Sequence, residues 1–141
     1  MARLIAMLFV GLVLAGTSLS ARADMSVYDE LGGMPGMTAI VNGMVDNALA
    51  DDRIKMIFDN VNIPRLKGLL HEQFCTLTGG PCSYHRRTMK ETHAGLNLHE
   101  GDFNALVEDL EASMDAQGIP WSSQVKLLAI LAPMERDIVS K

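Results

Sequence analysis

The sequence predicts an all-α domain built from short helices. Three observations predict it. Apolar residues recur at intervals of three and four, no convincing two-residue alternation appears anywhere, and paired glycines punctuate the helical runs. A glycine pair permits a sharp, φ-positive change of direction that a β-carbon would resist. Two such pairs in one small domain imply abrupt turns between helices rather than a simple up-and-down bundle.

The elements follow in order. Ser26 is placed to cap a short helix through Leu31 that Gly32-Gly33 ends. A longer helix is predicted from about Gly36 to Ala50, with Ile40, Met44, Val45 and Ala48 on one side. Asp51-Asp52 opens another turn, whose apolar face is Ile54, Ile57 and Phe58. Pro64 stands where proline is tolerated, at a helix start. From there Leu66, Leu69, Leu70, Phe74 and Leu77 keep helical spacing up to Gly79-Gly80-Pro81. A loop and a second short helix presenting His93 come next. Phe103, Leu106, Val107, Leu110 and Met114 then mark an amphipathic helix, which Gly118-Ile119-Pro120 breaks. Ser122 or Ser123 is expected to cap the last helix, which carries Val125, Leu128, Leu131 and Ile138, with Pro133 bending it.

The N-terminus reads differently from the rest. Met1-Ala2-Arg3 is a short basic start, Leu4 to Gly16 is apolar, and Ala21-Arg22-Ala23 fits a small-x-small cleavage site. The apolar run is too short for a resident membrane span. Residues 1–23 are therefore read as a cleaved secretory signal, an uncleaved anchor being the alternative, and residues 24–141 as one exported, periplasmic domain with no stable membrane insertion. Removing 1–23 takes away Arg3 and Arg22 and no acid, moving the formal charge from −5 to −7. Such acidity argues against nucleic acid as a partner, because counterion release needs clustered Lys and Arg. Cys75 and Cys82, flanking Gly79-Gly80-Pro81 in an exported chain, suggest a disulfide, the alternative being two buried thiols. There is no C-x-x-C-H, so covalent c-type haem attachment is excluded on motif grounds.

Taken together, Tyr28-Asp29-Glu30-Leu31-Gly32-Gly33, Ala50-Asp51-Asp52-Arg53-Ile54 with Phe58, Gly79-Gly80-Pro81, and Met89-Lys90-Glu91-x-His93 closely resemble group I truncated haemoglobins. The resemblance continues through Gly118-Ile119-Pro120 and Ala132-Pro133 and spans essentially the whole predicted domain. It implies a two-over-two helical sandwich around one non-covalent b-type haem per chain. It also implies that His93 is the proximal iron ligand, a role suited to a neutral imidazole whose second nitrogen bonds a carbonyl. Phe58 falls at the family's haem-stacking phenylalanine, and Met89, Leu98 and Phe103 fall on its proximal side and edge. Phe74 is placed in the pocket. Tyr84, Arg65, Lys67 and Arg87 are candidates to meet the haem propionates.

The departures carry information too. Family members often place a Phe-Tyr pair in the second long helix, and here it reads Met44-Val45. Two distal glutamine positions read Leu66 and Leu70. The resemblance thus implies an apolar distal pocket without hydrogen-bond donors. A donor beside held dioxygen is worth about 1.5–3 kcal/mol, so its loss implies dioxygen release faster by one to two orders of magnitude. His71, one position beyond Leu70, is a weaker candidate for a sixth ligand, and Met44 weaker still. His85 and His99 read as exposed. The implied function is reversible binding of dioxygen, carbon monoxide or nitric oxide, with an unidentified reductase keeping the iron ferrous. The alternatives are nitric oxide or peroxide detoxification, or six-coordinate electron transfer.

Overall fold

The computed structural model describes residues 24–140, so the predicted signal at 1–23 lies outside the described residues. Those residues form seven helices and two 3-10 turns, with no strand among them. None of the described helices is long and apolar enough to cross a membrane.

The chain opens with α1 (Val27–Glu30), capped by the Ser26 hydroxyl, which accepts from Asp29 N at 3.1 Å. Gly32 and Gly33, at φ 90° and 63°, turn it directly into α2 (Gly33–Ala50). The helix begins three residues before the predicted start. Pro35 does not delay it, because the first turn of a helix has no use for that missing N–H. Leu31 is completely buried at this corner, and its carbonyl lies where a β-carbon on Gly36 would sit, 1.9 Å away. Only glycine lets the two helices approach so closely.

Helix α2 organises the interior. Its Met37, Ile40, Val41, Met44 and Val45 form one core with Tyr28, Leu31, Phe74, Leu110, Met114 and Leu127. Its closest partner is α5 (Glu100–Ala116), reached where Gly43 faces Ser113. The buried Ser113 hydroxyl donates to the Ile40 carbonyl at 2.8 Å, and Asn47 donates to the Asp109 carbonyl at 3.0 Å. After α2, a 3-10 turn (Lys55–Phe58) packs Ile57 and Phe58 on a second cluster of Ala48, Ile54 and Ala105.

The Asn62 side chain then caps α3 (Ile63–Leu77), accepting from Arg65 N at 3.0 Å, with Pro64 in its first turn. At the far end Gly79 takes φ 86°, and Tyr28 N donates to the Thr78 carbonyl at 2.9 Å. This bond closes the end of α3 onto α1. Helix α4 (Met89–His93) is a single turn set up by a reciprocal capping box between Thr88 and Glu91.

The C-terminal part corrects the prediction in two places. Helix α6 (Trp121–Leu131) starts from Pro120, and neither Ser122 nor Ser123 caps it. Ser123 instead donates to Glu30 at 3.0 Å, beside a Lys126–Glu30 ion pair of 2.6 Å. Pro133 does more than bend the last helix. Its ring and missing N–H interrupt the ladder, giving a 3-10 turn (Ala132–Met134) and a separate α7 (Glu135–Ile138). That break lets α7 pack against α4, and Ser140 N donates to the Leu98 carbonyl at 2.8 Å.

The ties across α1 and α6 make stability sensitive to acid. The hydrogen bond from Lys126, helped by Ser123 and opposed by burial, holds the Glu30 carboxyl below the usual carboxylate value. Arg53 lowers Asp51 in the same way. A carboxyl lowered in the folded state stabilises it above the unfolded value and loses that contribution as pH falls through the folded one. Melting temperature should therefore fall between about pH 5 and pH 3, near the carboxylate range. Thermal melts of Lys126→Met should show a lower melting temperature above that window and a shallower fall within it.

Candidate haem pocket

Helices α3, α4 and α5, the loop before α4 and the C-terminal turns enclose a cavity of about 700 Å³, within the range of cofactor sites. Helix α3 contributes Leu66, Leu69, Leu70, Gln73 and Phe74, and α5 contributes Phe103, Leu106, Val107 and Leu110. Each set is one stripe at spacings of three and four, so the cavity is faced by the apolar sides of two helices. Met44, Leu131, Met134 and Ile138 complete the apolar surface.

His93, at the end of α4, is half-buried on this wall. Its Nδ1 lies 2.8 Å from the Met89 carbonyl oxygen. A carbonyl has no proton to give, so Nδ1 carries the hydrogen and donates, which leaves Nε2 with a free lone pair in the neutral ring. The cap that starts α4 also fixes this geometry. Thr88 N and its hydroxyl both donate to Glu91, and those bonds, with Arg87 nearby, hold the Glu91 carboxyl below its ordinary value.

Basic side chains gather at the polar part of the wall. Arg65, His85, Arg86 and Arg87 all line the cavity. Arg86 is paired with Glu72 at 3.3 Å, and Lys67, which does not line the cavity, is paired with Asp46 at 2.6 Å. Arg65 and Arg87 have no acidic partner within ion-pair distance among the described residues. The loop that carries His85–Arg87 is anchored by the Cys75–Cys82 disulfide, whose Cα atoms are 5.8 Å apart. Gly80 N donates to the Cys75 carbonyl at 2.8 Å inside that loop. A β-carbon on Gly80 would sit 2.7 Å from both the Cys75 sulfur and the Tyr28 ring.

Of the residues singled out from sequence, His93, Leu66, Leu70, Phe74, Tyr84, Met89, Phe103, Arg65, Arg87 and Met44 converge on the cavity. Four others do not line it. Val45 is shut into the main core, Phe58 packs in the second cluster, Leu98 is buried elsewhere, and Lys67 is occupied by Asp46. His71 does not reach the cavity either, and its Nε2 is buried without a hydrogen-bond partner. Sequence reasoning did not assign Gln73, Arg86 and Thr92 to the site, although Gln73 falls three residues after Leu70 on the same stripe.

The described residues contain no group of three His, Cys, Asp or Glu side chains able to hold a bare metal ion. One free imidazole nitrogen on a large apolar cavity suits a metal that brings its other donors with it, as in a metalloporphyrin. The unpaired Arg65 and Arg87 suit the carboxylates that such a ring carries. The residues present therefore fit a haem.

Fold and pocket together define an all-helical protein with an apolar cavity suited to a prosthetic group. The bacterial-like globin family matches residues 26–140, and the chain belongs to that family. A group 1 truncated hemoglobin of Tetrahymena thermophila is 37% identical over 121 residues, covering 85% of this chain and 99% of that protein. A second, from Mycolicibacterium paratuberculosis, is 30% identical over 82% of this chain and 85% of its own length. The Fe(III) truncated hemoglobin of Tetrahymena pyriformis superposes with a TM-score of 0.80 at 28% identity, covering 83% of this chain and 100% of that one. A Synechococcus 2/2 hemoglobin with covalently attached heme shares the fold at a TM-score of 0.77 and 20% identity, over 83% and 100% of the two chains. The all-α, two-over-two class predicted from sequence is the observed one.

Loss of the disulfide should destabilise the domain without altering its helices. The chain-entropy model gives about 2.5 kcal/mol for so small a loop. Cys82→Ser should lower the melting temperature by about 10 °C in a domain of this size, measured by circular dichroism at neutral pH.

Proposed function

We propose that the domain holds one b-type haem non-covalently and binds a diatomic gas reversibly on its iron, outside the cytoplasm. The observation that carries this reading is His93, whose Nδ1 is tied to the Met89 carbonyl while Nε2 is left free beside the cavity. Membership of the globin family and the relatives' names support it. When bound, the haem supplies an iron centre that takes up dioxygen, carbon monoxide or nitric oxide.

The chain's own residues set the terms. His93 is the proximal ligand, and its bond to the Met89 carbonyl fixes both tautomer and ring orientation. Arg65 and Arg87 receive the propionates. Leu66, Leu70 and Met44 line the cavity and would exclude water from a bound gas, but they have no proton to donate. A ligand that gains polarity when held, as dioxygen does, is thus held weakly, and carbon monoxide suffers less. The lack of donors at Leu66, Leu70 and Met44 works against nitric oxide and peroxide chemistry, which needs a polarised ligand. His71 is unsuited to a sixth-ligand role because it does not line the cavity. Export to the periplasm is supported by the basic, apolar and small-residue order of residues 1–23 and by the Cys75–Cys82 bridge. Such a location requires an electron donor there to keep the iron ferrous.

The absorption spectrum of the ferrous protein, with and without carbon monoxide, tests the reading. A five-coordinate band that shifts on adding carbon monoxide is expected, lost in His93→Ala and restored by free imidazole. No haem band in the wild type after haem is supplied would overturn it. In addition, Leu70→Gln should slow dioxygen release roughly 10- to 100-fold, the equivalent of a charge-assisted hydrogen bond, with little change for carbon monoxide. Stopped-flow displacement measures both.

A further inference from the structure

Gln73 is the polar side chain that the cavity does not account for. It is 7% exposed, on α3 one turn beyond Leu70. It lines both the main cavity and a smaller one of about 290 Å³ that shares Tyr84, Arg87, Met89 and Met134 with it. Its Nε2 lies 3.2 Å from the Met89 sulfur and 3.9 Å from the Met134 sulfur. A thioether is a weak acceptor, so burying an amide against two of them is a poor use of the position for stability alone. A leucine or phenylalanine would pack there at less cost.

Met89 gives the contact its meaning. It is the first residue of α4, and its carbonyl oxygen is the acceptor for His93 Nδ1. With only five residues, α4 is far too short to hold itself. Its place depends on the Thr88 cap, on α7, and on what grips Met89. The only side-chain hydrogen bonds made by Gln73 among the described residues are those to Met89 and Met134. They tie α3 to the start of α4 and to the turn that leads into α7.

We propose that Gln73 is a positioning residue for the proximal histidine. By donating to the Met89 sulfur it fixes the first residue of α4, and so holds the Met89 carbonyl in line with His93 Nδ1–H. This rests on the reading of His93 as the iron ligand. The effect is electronic as well as geometric, because a firm Nδ1–H···O bond makes the imidazole more basic and strengthens its bond to a metal. Releasing Met89 loosens that bond.

The iron–histidine stretching band in resonance Raman spectra of the ferrous, haem-loaded protein reads this directly. The band should be present in the wild type and absent in His93→Ala. Gln73→Leu should move it several wavenumbers lower, and Met89→Leu should move it in the same direction by a similar amount. The double variant should move it no further, since both changes break one link. Gln73→Met, which keeps the side chain's length and removes the donor, carries the same expectation should Gln73→Leu fail to load haem. An unchanged band in the Gln73 variants overturns the proposal alone, as do shifts that simply add in the double variant. A wild-type band that survives His93→Ala overturns the assignment of His93, and the proposal with it.

Discussion

A small helical domain cannot leave a large apolar cavity empty without penalty, and that constraint governs this structure. Apolar surface left without packing partners costs stability, and a half-open cleft of about 700 Å³ lined mainly by apolar side chains exposes a large amount of it. Water entering from the mouth relieves part of that, but it finds few partners on a wall of Leu, Phe, Val and Met side chains. The apolar faces of α3 and α5 are turned to this cavity, an arrangement suited to an apolar occupant.

Holding two such faces apart needs rigid corners elsewhere. Three of them are close approaches to a glycine: the Leu31 carbonyl on Gly36, the Ser113 side chain on Gly43, and the Tyr28 ring with Cys75 around Gly80. The last joins the disulfide and the bond from Tyr28 N to the Thr78 carbonyl at one end of α3. This cluster, remote from His93 in sequence, sets where the basic loop leaves α3 and hence where Arg87 reaches the cavity. The dense half of the molecule thus defines the hollow half.

Much of this was legible in the residues. The helical periodicities and the glycine pairs place the elements nearly where they stand, and the motif around His93 identifies the wall imidazole whose Nδ1 is tied to a backbone carbonyl. What the sequence left open was rotation about helix axes and competition for side chains. Met44 and Val45 are neighbours in the main core, yet the helix turn between them lets Met44 also reach the cavity while Val45 does not. Lys67 looks like a free cation until the packing of α2 on α3 brings Asp46 to it. Ser123 has the chemistry of a helix cap, but Glu30, distant in sequence, takes its hydroxyl. Gln73 sat on a recognisable stripe, and only the approach of Met89 from another element shows what its amide touches.

The break at Pro133 sets a timetable for assembly. Because it sends α7 back onto α4, and Ser140 onto Leu98, the last residues of the chain complete the support of the histidine helix. A ribosome still holding those residues carries a chain whose pocket has no finished floor. The support of the histidine helix is thus completed last in chain order, and loss of even a few C-terminal residues would remove part of the cavity wall while leaving the main core on α2 and α5 in place.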